Sequence, residues 1–373
     1  MSRTNARSII EELFDDAGIT VNGSNPYDIH VHNNEFYPRV LSDGALGLGE
    51  SYMEQWWECT AVDQFIDRVQ RANLPFRLRK SWKIAWHYLK AKIFNLQSIQ
   101  RAFQVGHKHY DIGNDLYQRM LGKTMAYTSA YWTTATTLDE AQEAKMDLVC
   151  RKIGLQPGMS VLELGCGFGS FARFAAEHYG VSVTGYTISQ QQAEWGTGAN
   201  KGLPVIINLD DYRKAQGAYD RVVSIGIMEH VGYKNYSTYM DLVARTLKPE
   251  GIAFIHTIGG NFSMTNTDPW TSKYIFPNGM LPSIAQLGKA MEKIFVMEDW
   301  HNFGPHYDKT LMAWHENFER AWPELARAYG ERFYRMWRFY LLACAGGFRS
   351  RRLQLWQIVM TKLGREQPLC RLS

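Results

Sequence analysis

A chain of 373 residues is long enough for two domains, because most domains contain about 100–200 residues. Hydrophobic residues make up 45% of the chain and charged residues 21%, a composition that excludes wholesale disorder. The net charge of +4 is far from that of a histone-like protein, whereas the aromatic content of 13% predicts an apolar pocket, an interface or a membrane-surface contact in addition to a core.

The cysteines and the N-terminal residues bear on the compartment. The five cysteines are scattered without a C-x-x-C pair, which is typical of a reducing compartment and predicts no zinc or other metal site. No apolar run reaches the length of about 18 residues that a membrane-spanning helix needs, and the N-terminus lacks a signal-peptide core. Ile9, Ile10, Leu13 and Phe14 instead recur at helical spacing and predict an amphipathic helix.

Residues 1–95 are predicted to form a small domain that mixes α and β structure. Two short stretches, Asp28–Val31 and Phe36–Val40, have the composition of β-strands. They precede a glycine-rich segment, Leu46–Cys59, that contains the adjacent Trp56 and Trp57. We expect these two residues on a helix, with one ring in the core and the other facing out.

The stretch 68–108 contains ten basic residues and no acidic one, with aromatic residues between them. A basic and aromatic surface suits an anionic membrane, and single-stranded nucleic acid would suit it too. A solvated linker helix is the third interpretation. Composition alone leaves these three open.

From residue 137 onward, helix and strand patterns alternate. Thr137 and Glu140 form a capping box at the start of a helix, and Pro157-Gly158 predicts a turn. Further helices are predicted from Ser170 and over Tyr236–Leu247. The predicted strands are Val161–Leu164, Val181–Tyr186, Val205–Asn208, Arg221–Ile225, Ile252–His256, Phe295–Trp300 and Leu353–Met360. The alternation implies a doubly wound parallel sheet, and we place the last two strands as an antiparallel pair at one edge.

A glycine-rich turn, Leu162–Gly169, joins the first of these strands to the next helix. Its three alternate glycines let the backbone turn tightly and approach a ligand closely. A dinucleotide-binding G-x-G-x-x-G pattern would need glycine where Ser170 stands, so pyrophosphate binding is disfavoured. The E-x-G-x-G-x-G spacing that begins at Glu163 resembles the S-adenosylmethionine (AdoMet) loop of class I methyltransferases. The alternative is a turn that binds no ligand.

This resemblance implies an α/β fold of the class I AdoMet-dependent methyltransferase type, Rossmann-like with a seven-stranded sheet, beside a small α+β N-terminal domain. Most such enzymes end the second strand with an acidic residue that binds the ribose. Here the end of the strand reads Gly185-Tyr186-Thr187-Ile188-Ser189, and three glutamines follow, so neutral Thr and Gln groups would have to hold the ribose. After the third strand, Asp210 and Asp211 could accept a hydrogen bond from the adenine amine, with the Tyr212 ring beside it.

Motifs along the whole chain resemble those of the bacterial cyclopropane-fatty-acyl-phospholipid synthases. They are LGLGESYM (46–53), FNLQS (94–98), HYDIGNDLY (109–117), LELGCGFG (162–169), EHVG (229–232), HTIG (256–259), KYIFPNGMLPS (273–283) and DWHNFGPHYDKTLMAW (299–314). Many matching segments in one order are far more specific than any single motif. They include the N-terminal domain, which the related mycolic-acid cyclopropane synthases lack, and this favours phospholipid acyl chains as substrate.

The resemblance implies a reaction and a cellular setting. The AdoMet methyl group would be transferred to the cis double bond of a membrane phospholipid acyl chain and closed into a cyclopropane ring, with a bound bicarbonate ion as general base. Residues 1–95 would form a lipid-associated domain, 96–120 a basic linker and 121–373 the catalytic domain. The enzyme would be cytoplasmic, bind the inner face of the cytoplasmic membrane, form a homodimer and bind no nucleic acid.

The resemblance also implies the site residues. The cofactor would be bound by Tyr127, Thr128, Val161, Leu162, Glu163, Leu164, Gly165, Cys166, Gly167, Phe168, Gly169, Thr187, Gln192, Tyr212, Arg213 and Ile225. The bicarbonate ligands would be Glu229, His256, Tyr307 and the backbone amides near Ser129 and Ile258. Without the resemblance, Glu229 is favoured only by its place after a strand, at the edge where ligands bind. His256 could equally be structural, and Tyr307 carries no signal of its own.

Two positions and one helix need separate comment. The family commonly has cysteine where Ser129 stands, and serine would serve if the position acts through its backbone amide. Cys344 matches a family cysteine that is sometimes assigned as catalytic. We expect it to pack in a helix of small residues. The apolar run Phe333–Leu342 predicts a helix that belongs to the core or to an acyl-chain tunnel.

Three other functions remain as alternatives. A fatty-acyl C-methyltransferase that gives a methyl-branched or methylene product could have almost the same site. An RNA or small-molecule methyltransferase could use the basic stretch for nucleic acid, although the match across the N-terminal domain argues against it. A lipid-binding protein without enzymatic activity is disfavoured by the intact glycine loop.

Overall fold

The computed structural model describes residues 3–77 and 113–372. Most of the basic stretch 68–108, the FNLQS motif and the start of HYDIGNDLY lie outside these residues. The described chain divides into two compact units. The first contains residues 3–77, 266–277 and 307–353, and the second contains 113–265, 278–306 and 354–372. The first unit thus includes two segments of the range that the sequence analysis assigns to the catalytic domain.

The helices and strands of the described residues are labelled in chain order. The helices are α1 (Arg3–Asp15), α2 (Phe36–Asp43), α3 (Ala45–Met53), α4 (Val62–Arg71), α5 (Leu74–Arg77), α6 (Asn114–Leu121), α7 (Leu138–Lys152), α8 (Ser170–Tyr179), α9 (Gln190–Ala199), α10 (Met228–Val231), α11 (Tyr236–Thr246), α12 (Pro269–Tyr274), α13 (Ile284–Met291), α14 (Pro305–Tyr329) and α15 (Glu331–Arg349). The strands are β1 (His30–Val31), β2 (Trp57–Glu58), β3 (Ser160–Leu164), β4 (Ser182–Thr187), β5 (Val205–Leu209), β6 (Tyr219–Ile225), β7 (Leu247–Gly260), β8 (Val296–Asn302) and β9 (Leu353–Thr361).

The first unit is built around an aromatic core. The fully buried Trp57 lies 5.4 Å from the Phe65 ring and 5.0 Å from the Tyr52 ring, measured between centroids. The predicted amphipathic helix is confirmed as α1, which buries Phe14 against Phe65. The helix predicted over Phe333–Leu342 is confirmed as part of α15, which packs closely against α4.

Two predictions for the first unit are wrong. Phe36–Val40 is the first part of helix α2 and not a strand, and its residues Phe36, Tyr37 and Val40 are buried on one helical face. Trp56 and Trp57 lie at strand β2 and not on a helix. The predicted difference in exposure is confirmed: Trp57 is buried, whereas Trp56, which precedes the strand, is half-buried beneath the Arg39 guanidinium at 4.7 Å.

The second unit contains the predicted seven-stranded sheet. Its strand order is β5-β4-β3-β6-β7-β9-β8. β3, β4, β5, β6 and β7 pair in parallel, and β8 pairs antiparallel with β9 at one edge. The seven predicted strands are therefore confirmed, as are the helices that begin at Ser170 and Tyr236. The predicted capping box is present too, with Thr137 and Glu140 each accepting a hydrogen bond from the other's backbone amide.

The faces of this sheet pack in two hydrophobic cores. Leu162 and Leu164 of β3 belong to one core, and Val161 belongs to the other, because alternate strand residues point to opposite faces. Thr187 is the last residue of β4 and Ile225 the last of β6, so both lie at the carboxyl ends of parallel strands, where ligands of doubly wound sheets bind. Among the described helices, none combines the length and the hydropathy that crossing a membrane requires.

Candidate functional site

The glycine loop follows the carboxyl end of β3 and has a backbone that only glycine adopts readily. Gly165, Gly167 and Gly169 have φ angles of +75°, +53° and +74°. A Cβ at Gly165 would lie 2.0 Å from Ile227 Cδ1, and one at Gly169 would lie 2.7 Å from Asn200 Nδ2. At Gly167 a Cβ would meet no described atom within 4 Å. The loop is therefore packed at its two ends and open at Gly167, where a ligand could approach.

Glu163 lies beneath this loop and is only 2% exposed. No described group forms a hydrogen bond with its Oε2 atom. Burial raises the pKa of Glu163 to about 8, although the positive charge of Lys145 and the Ala172 amide act in the opposite direction. A buried carboxyl oxygen without a partner is costly. The ammonium end of AdoMet would satisfy it, so this residue fits the predicted cofactor.

Two residues of helix α7 that the sequence analysis missed form hydrogen bonds with the predicted cofactor residue Thr128. Lys145 donates a 3.0 Å hydrogen bond to Thr128 Oγ1. Gln142 donates to the carbonyl oxygens of Thr128 and Ala126, at 2.8 and 3.3 Å. Burial lowers the pKa of Lys145 to about 8. Polar residues within a helix pattern are usually solvated, so the sequence offered no signal for either residue.

Aromatic rings line the segment between Tyr127 and the glycine loop. Tyr117 lies 5.3 Å from Tyr127 and 5.6 Å from Phe168, between ring centroids. Trp195 meets Phe168 edge to face at 6.5 Å. Cys166 is buried, and its surroundings raise the pKa of the thiol, so it stays neutral. The side chains of Val161, Leu162, Leu164 and Ile225 are buried in the cores, so they position the loop from below.

The residues predicted for the ribose and the adenine have defined partners. Thr187 donates a 2.8 Å hydrogen bond to Gln192 Oε1, and both side chains are buried. Arg213 binds both carboxylate oxygens of the buried Asp211, at 2.8 and 2.6 Å. Tyr212 is half-buried and packs edge to face on another tyrosine. The Asp211 carboxylate, which was predicted to accept from the adenine amine, is thus bound by Arg213. The Thr187–Gln192 pair is the neutral polar group predicted for the ribose.

Glu229, on the short helix α10, is held by the neighbouring strand. Its Oε1 accepts a 2.6 Å hydrogen bond from the backbone amide of Ile258 in β7. Its Oε2 is buried and has no hydrogen-bond partner among residues 3–77 and 113–372. Burial raises the pKa of Glu229 to about 7, against the effect of the Ile258 amide. This carboxyl group can therefore change its protonation state near neutral pH.

His256 lies two residues before Ile258 on β7 and next to the cofactor strand β6. Its Cα pairs with that of Ile225, and its carbonyl oxygen accepts a 2.8 Å hydrogen bond from the Gly226 amide. Burial, together with the positive charges of Lys145 and Lys152, holds the pKa of His256 well below its ordinary value. The imidazole is therefore neutral.

The imidazole of His256 has one partner that the sequence analysis missed. Gln357 of β9 is fully buried, and its Nε2 lies 3.5 Å from His256 Nδ1. When Gln357 donates to Nδ1, the hydrogen of the neutral ring is on Nε2. Nothing in the described chain bonds to that Nε2. Glu229 and His256 thus each present a buried polar atom without a described partner. A small oxyanion with a hydroxyl group could donate to Glu229 Oε2 and accept from His256 Nε2.

The remaining predicted residues have separate locations. Ser129 is fully buried in the second unit, and its hydroxyl donates to the Ala130 carbonyl at 3.0 Å. Tyr307 belongs to the first unit, where its buried ring packs 4.7 Å from Phe348. Cys344 is also in the first unit, and burial raises the pKa of its thiol to about 12. A thiol with so high a pKa is a poor nucleophile at neutral pH.

Comparison with known proteins places this site in context. The family model described as mycolic acid cyclopropane synthetase matches residues 97–358. The chain is 53% identical over 354 residues to the cyclopropane-fatty-acyl-phospholipid synthase of Escherichia coli K12, covering 95% of this chain and 93% of the relative. It is 32% identical over 359 residues to the tuberculostearic acid methyltransferase UfaA1 of Mycobacterium tuberculosis, covering 87% and 81%. The solved mycolic acid cyclopropane synthase CmaA1, complexed with SAH and CTAB, superposes with a TM-score of 0.66 at 32% identity, covering 70% of this chain and 98% of that one.

Proposed function

The chain belongs to the mycolic acid cyclopropane synthetase family and is an AdoMet-dependent methyltransferase, and from this premise we propose that it forms cyclopropane rings in phospholipid acyl chains. The substrate is the cis double bond of an unsaturated acyl chain. The observation that carries the proposal is that the same sheet edge has an open glycine loop and two buried polar atoms without a described partner. These atoms are Glu229 Oε2 and His256 Nε2. The 53% identity to a phospholipid-acting relative over nearly the whole chain supports the substrate class.

The cofactor supplies an electrophilic methyl group when it is bound. Glu163 would bind its ammonium end, Gly167 would let the backbone approach it, and the Thr187–Gln192 pair would meet its ribose. An alkene is a weak nucleophile, so the two reactants must be aligned in a site from which water is excluded. The aromatic rings of Tyr127 and Phe168 contribute such apolar surroundings.

Ring closure requires a base that removes a proton from the added methyl group, and we propose bicarbonate for this role. The neutral imidazole of His256 would donate a hydrogen bond to the ion through Nε2, and the Glu229 carboxylate would accept its proton through Oε2. The Ile258 amide, which the resemblance assigns to the anion itself, donates to Glu229. We therefore assign it to holding that carboxylate. Tyr307 and the amide of Ser129 remain proposed ligands.

The test is to incubate the protein with AdoMet, bicarbonate and vesicles of unsaturated phospholipid, and to examine the lipids by mass spectrometry and proton NMR. A gain of one CH2 with upfield cyclopropane protons would establish the reaction and show that serine suffices at position 129. Loss of product in carbonate-free buffer, with recovery on adding bicarbonate, would support the proposed base.

A fatty-acyl C-methyltransferase is the second candidate, because the chain is also similar to a tuberculostearic acid methyltransferase. An exomethylene product has the same mass as a cyclopropane but keeps vinyl protons in the NMR spectrum. A reduced methyl branch is two hydrogens heavier. Either result would replace the cyclopropane proposal with this one.

The partners and the location belong to the same proposal. The enzyme would act at the inner face of the cytoplasmic membrane, as a homodimer that binds phospholipid and no nucleic acid. The ten basic residues of 68–108 favour an anionic surface. Adding about 0.5 M salt should weaken binding to anionic vesicles by screening these charges. Unchanged binding would argue against the electrostatic contribution, and tight salt-sensitive RNA binding would argue against the membrane partner.

A further inference from the structure

The segment that carries Ser129 has no regular secondary structure, so individual contacts fix its position. It is part of the described loop between α6 and α7, where no helix or strand is formed. Helix α7 holds it at two points. Gln142 donates a 2.8 Å hydrogen bond to the carbonyl oxygen of Thr128. The backbone amide of Tyr131 donates, also at 2.8 Å, to the carbonyl oxygen of Ala141.

A further anchor comes from His306, in the first turn of α14. Its Nδ1 accepts a 2.7 Å hydrogen bond from the backbone amide of Trp132, three residues after Ser129. Its ring also stacks on Tyr131, with 4.8 Å between the centroids and 15° between the planes. An Nδ1 atom that accepts a hydrogen bond places the hydrogen of the neutral ring on Nε2, and the positive end of the helix dipole favours that neutral form. His306 is thus a fixed acceptor for the segment.

The same group of rings extends to the imidazole of His256. Phe303 is buried and meets three other rings edge to face, those of His306, Tyr131 and His256, at 5.5, 5.7 and 5.8 Å between centroids. The backbone of Phe303 is fixed in turn, because its amide donates a 3.0 Å hydrogen bond to the Leu355 carbonyl oxygen of β9. A shift of the loop away from His306 would therefore also move it relative to His256.

We propose that His306 is a positioning residue for the bicarbonate site: through the Trp132 amide, it holds the Ser129 segment in place beside the His256 imidazole. The inference rests on the proposed function, because the Ser129 amide matters to the reaction only as a proposed ligand of bicarbonate. The cofactor residue Thr128 is bound to α7. Loss of the His306 anchor should therefore affect the anion more than the cofactor.

The test applies three readouts to the full chain. They are hydrogen exchange at the Trp132 amide, the bicarbonate concentration for half-maximal activity, and the Kd of S-adenosylhomocysteine. Leucine cannot accept the hydrogen bond, so in His306→Leu both the exchange rate and the bicarbonate concentration should rise about two- to tenfold. The Kd of S-adenosylhomocysteine should stay at the wild-type value. A general loss of structure would change all three together.

Two amide variants test whether the position of the acceptor matters. In His306→Asn the side-chain oxygen can take the place of Nδ1 and accept from Trp132, so this variant should restore most of the exchange protection and of the bicarbonate response. His306→Gln carries the same amide one methylene further from the backbone, and it should behave like His306→Leu. The pair separates a hydrogen bond at one position from the general polarity of the side chain.

His301→Leu is the matched control for repacking of the rings. The His301 ring is half-buried and lies 6.2 Å from Tyr131 and 4.9 Å from Phe303. Its Nδ1, however, lies 3.1 Å from the ammonium of Lys152. This variant should keep the wild-type exchange at Trp132 and the wild-type bicarbonate response.

The proposal is overturned if His306→Leu keeps either the wild-type exchange at Trp132 or the wild-type bicarbonate response, or if His301→Leu shifts both equally. Failure of His306→Asn to restore them also overturns it. If His306→Leu does not fold, His306→Gln decides by the same two readouts. A wild-type rate that ignores bicarbonate would count against the proposed base alone, because hydrogen exchange at Trp132 tests the anchor without turnover.

Discussion

The backbone amide of Ile258 donates a 2.6 Å hydrogen bond to Oε1 of Glu229. Ile258 is on β7, the strand that also carries His256, whereas Glu229 is on the helix that follows β6. This hydrogen bond connects the carboxyl group to the strand that carries the imidazole, and the Oε2 atom faces no described partner. We therefore expect the activity to depend on whether Glu229 is ionised.

Glu229→Gln should abolish most activity and remove one pH dependence. Burial raises the pKa of Glu229 to about 7, and the proposed role needs the ionised form, which is populated above that pH. In the wild type, kcat/KM should therefore rise with pH toward about 7 and fall about tenfold per unit below it. The glutamine cannot accept the proton, so the rate should drop at least about 100-fold and lose this step. Methyl transfer from labelled AdoMet measures both effects.

The control for this variant is binding of S-adenosylhomocysteine, which Glu229→Gln should retain because the glycine loop is untouched. Retained binding separates a chemical defect from misfolding. A variant that keeps both the wild-type rate and the wild-type pH profile would remove Glu229 from the proposed mechanism.

Gln357→Leu should weaken the response to bicarbonate without changing the response to AdoMet. The amide lies 3.5 Å from His256 Nδ1, and its loss frees the imidazole to place its hydrogen on either nitrogen. A hydrogen bond of this kind contributes about 0.5–1.5 kcal/mol, so the bicarbonate concentration for half-maximal activity should rise about two- to tenfold. The KM for AdoMet should stay the same.

Gln354→Leu provides a matched control, because Gln354 is on the same strand and its side chain bonds to Asn302. This variant should leave the bicarbonate response unchanged. If both variants shift it equally, the effect comes from repacking of β9 and not from the imidazole.

The sequence predicted the second unit well because local signals and long-range packing agree there. The glycine loop, the capping box at Thr137 and the strands each carry their own pattern, and the parallel sheet follows from their alternation. The error at Phe36–Val40 has a physical cause. Aromatic and β-branched residues favour strands, but burial of Phe36, Tyr37 and Val40 on one face stabilises a helix, and Pro38 is tolerated in its first turn.

The site was predicted less completely, for a different reason. Glu163 is near the end of β3, and Glu229 follows β6 on a short helix, so the sequence itself places both near a ligand-binding edge. Lys145, Gln142 and Gln357 act from neighbouring elements, and their contacts span 14 residues or more along the chain. The local pattern of a helix or strand does not indicate which strand end its polar residues will contact in the folded protein. Only the folded arrangement reveals such partners.

Alanine substitutions at Gly165 and Gly167 should cause two different defects, one in stability and one in cofactor binding. Gly165→Ala should destabilise the fold, because its Cβ would lie 2.0 Å from Ile227 Cδ1 in a backbone with positive φ. Gly167→Ala meets no described atom within 4 Å, so it should bear only the cost of its positive φ, about 1 kcal/mol, and lose AdoMet affinity. Thermal unfolding and calorimetric binding measure the two properties separately.

Gly202→Ala is the control for backbone strain, since Gly202 also has positive φ and open space but lies outside the loop. It should match Gly167→Ala in stability and keep wild-type affinity. Equal AdoMet affinity in these two variants would mean that the cofactor does not approach the loop at Gly167.

Cys344→Ala should remain active, which separates a packing role from a nucleophilic one. Burial raises the pKa of the thiol to about 12, so at pH 8 the thiolate fraction is on the order of one in ten thousand. Cys344 lies within α15, whose neighbouring Gly346 packs against the α4 backbone, and alanine fits such a helix. Turnover within about tenfold of wild type is expected. A folded variant with less than about a hundredth of wild-type turnover, a loss of roughly 2.7 kcal/mol, would instead assign the thiol a chemical role.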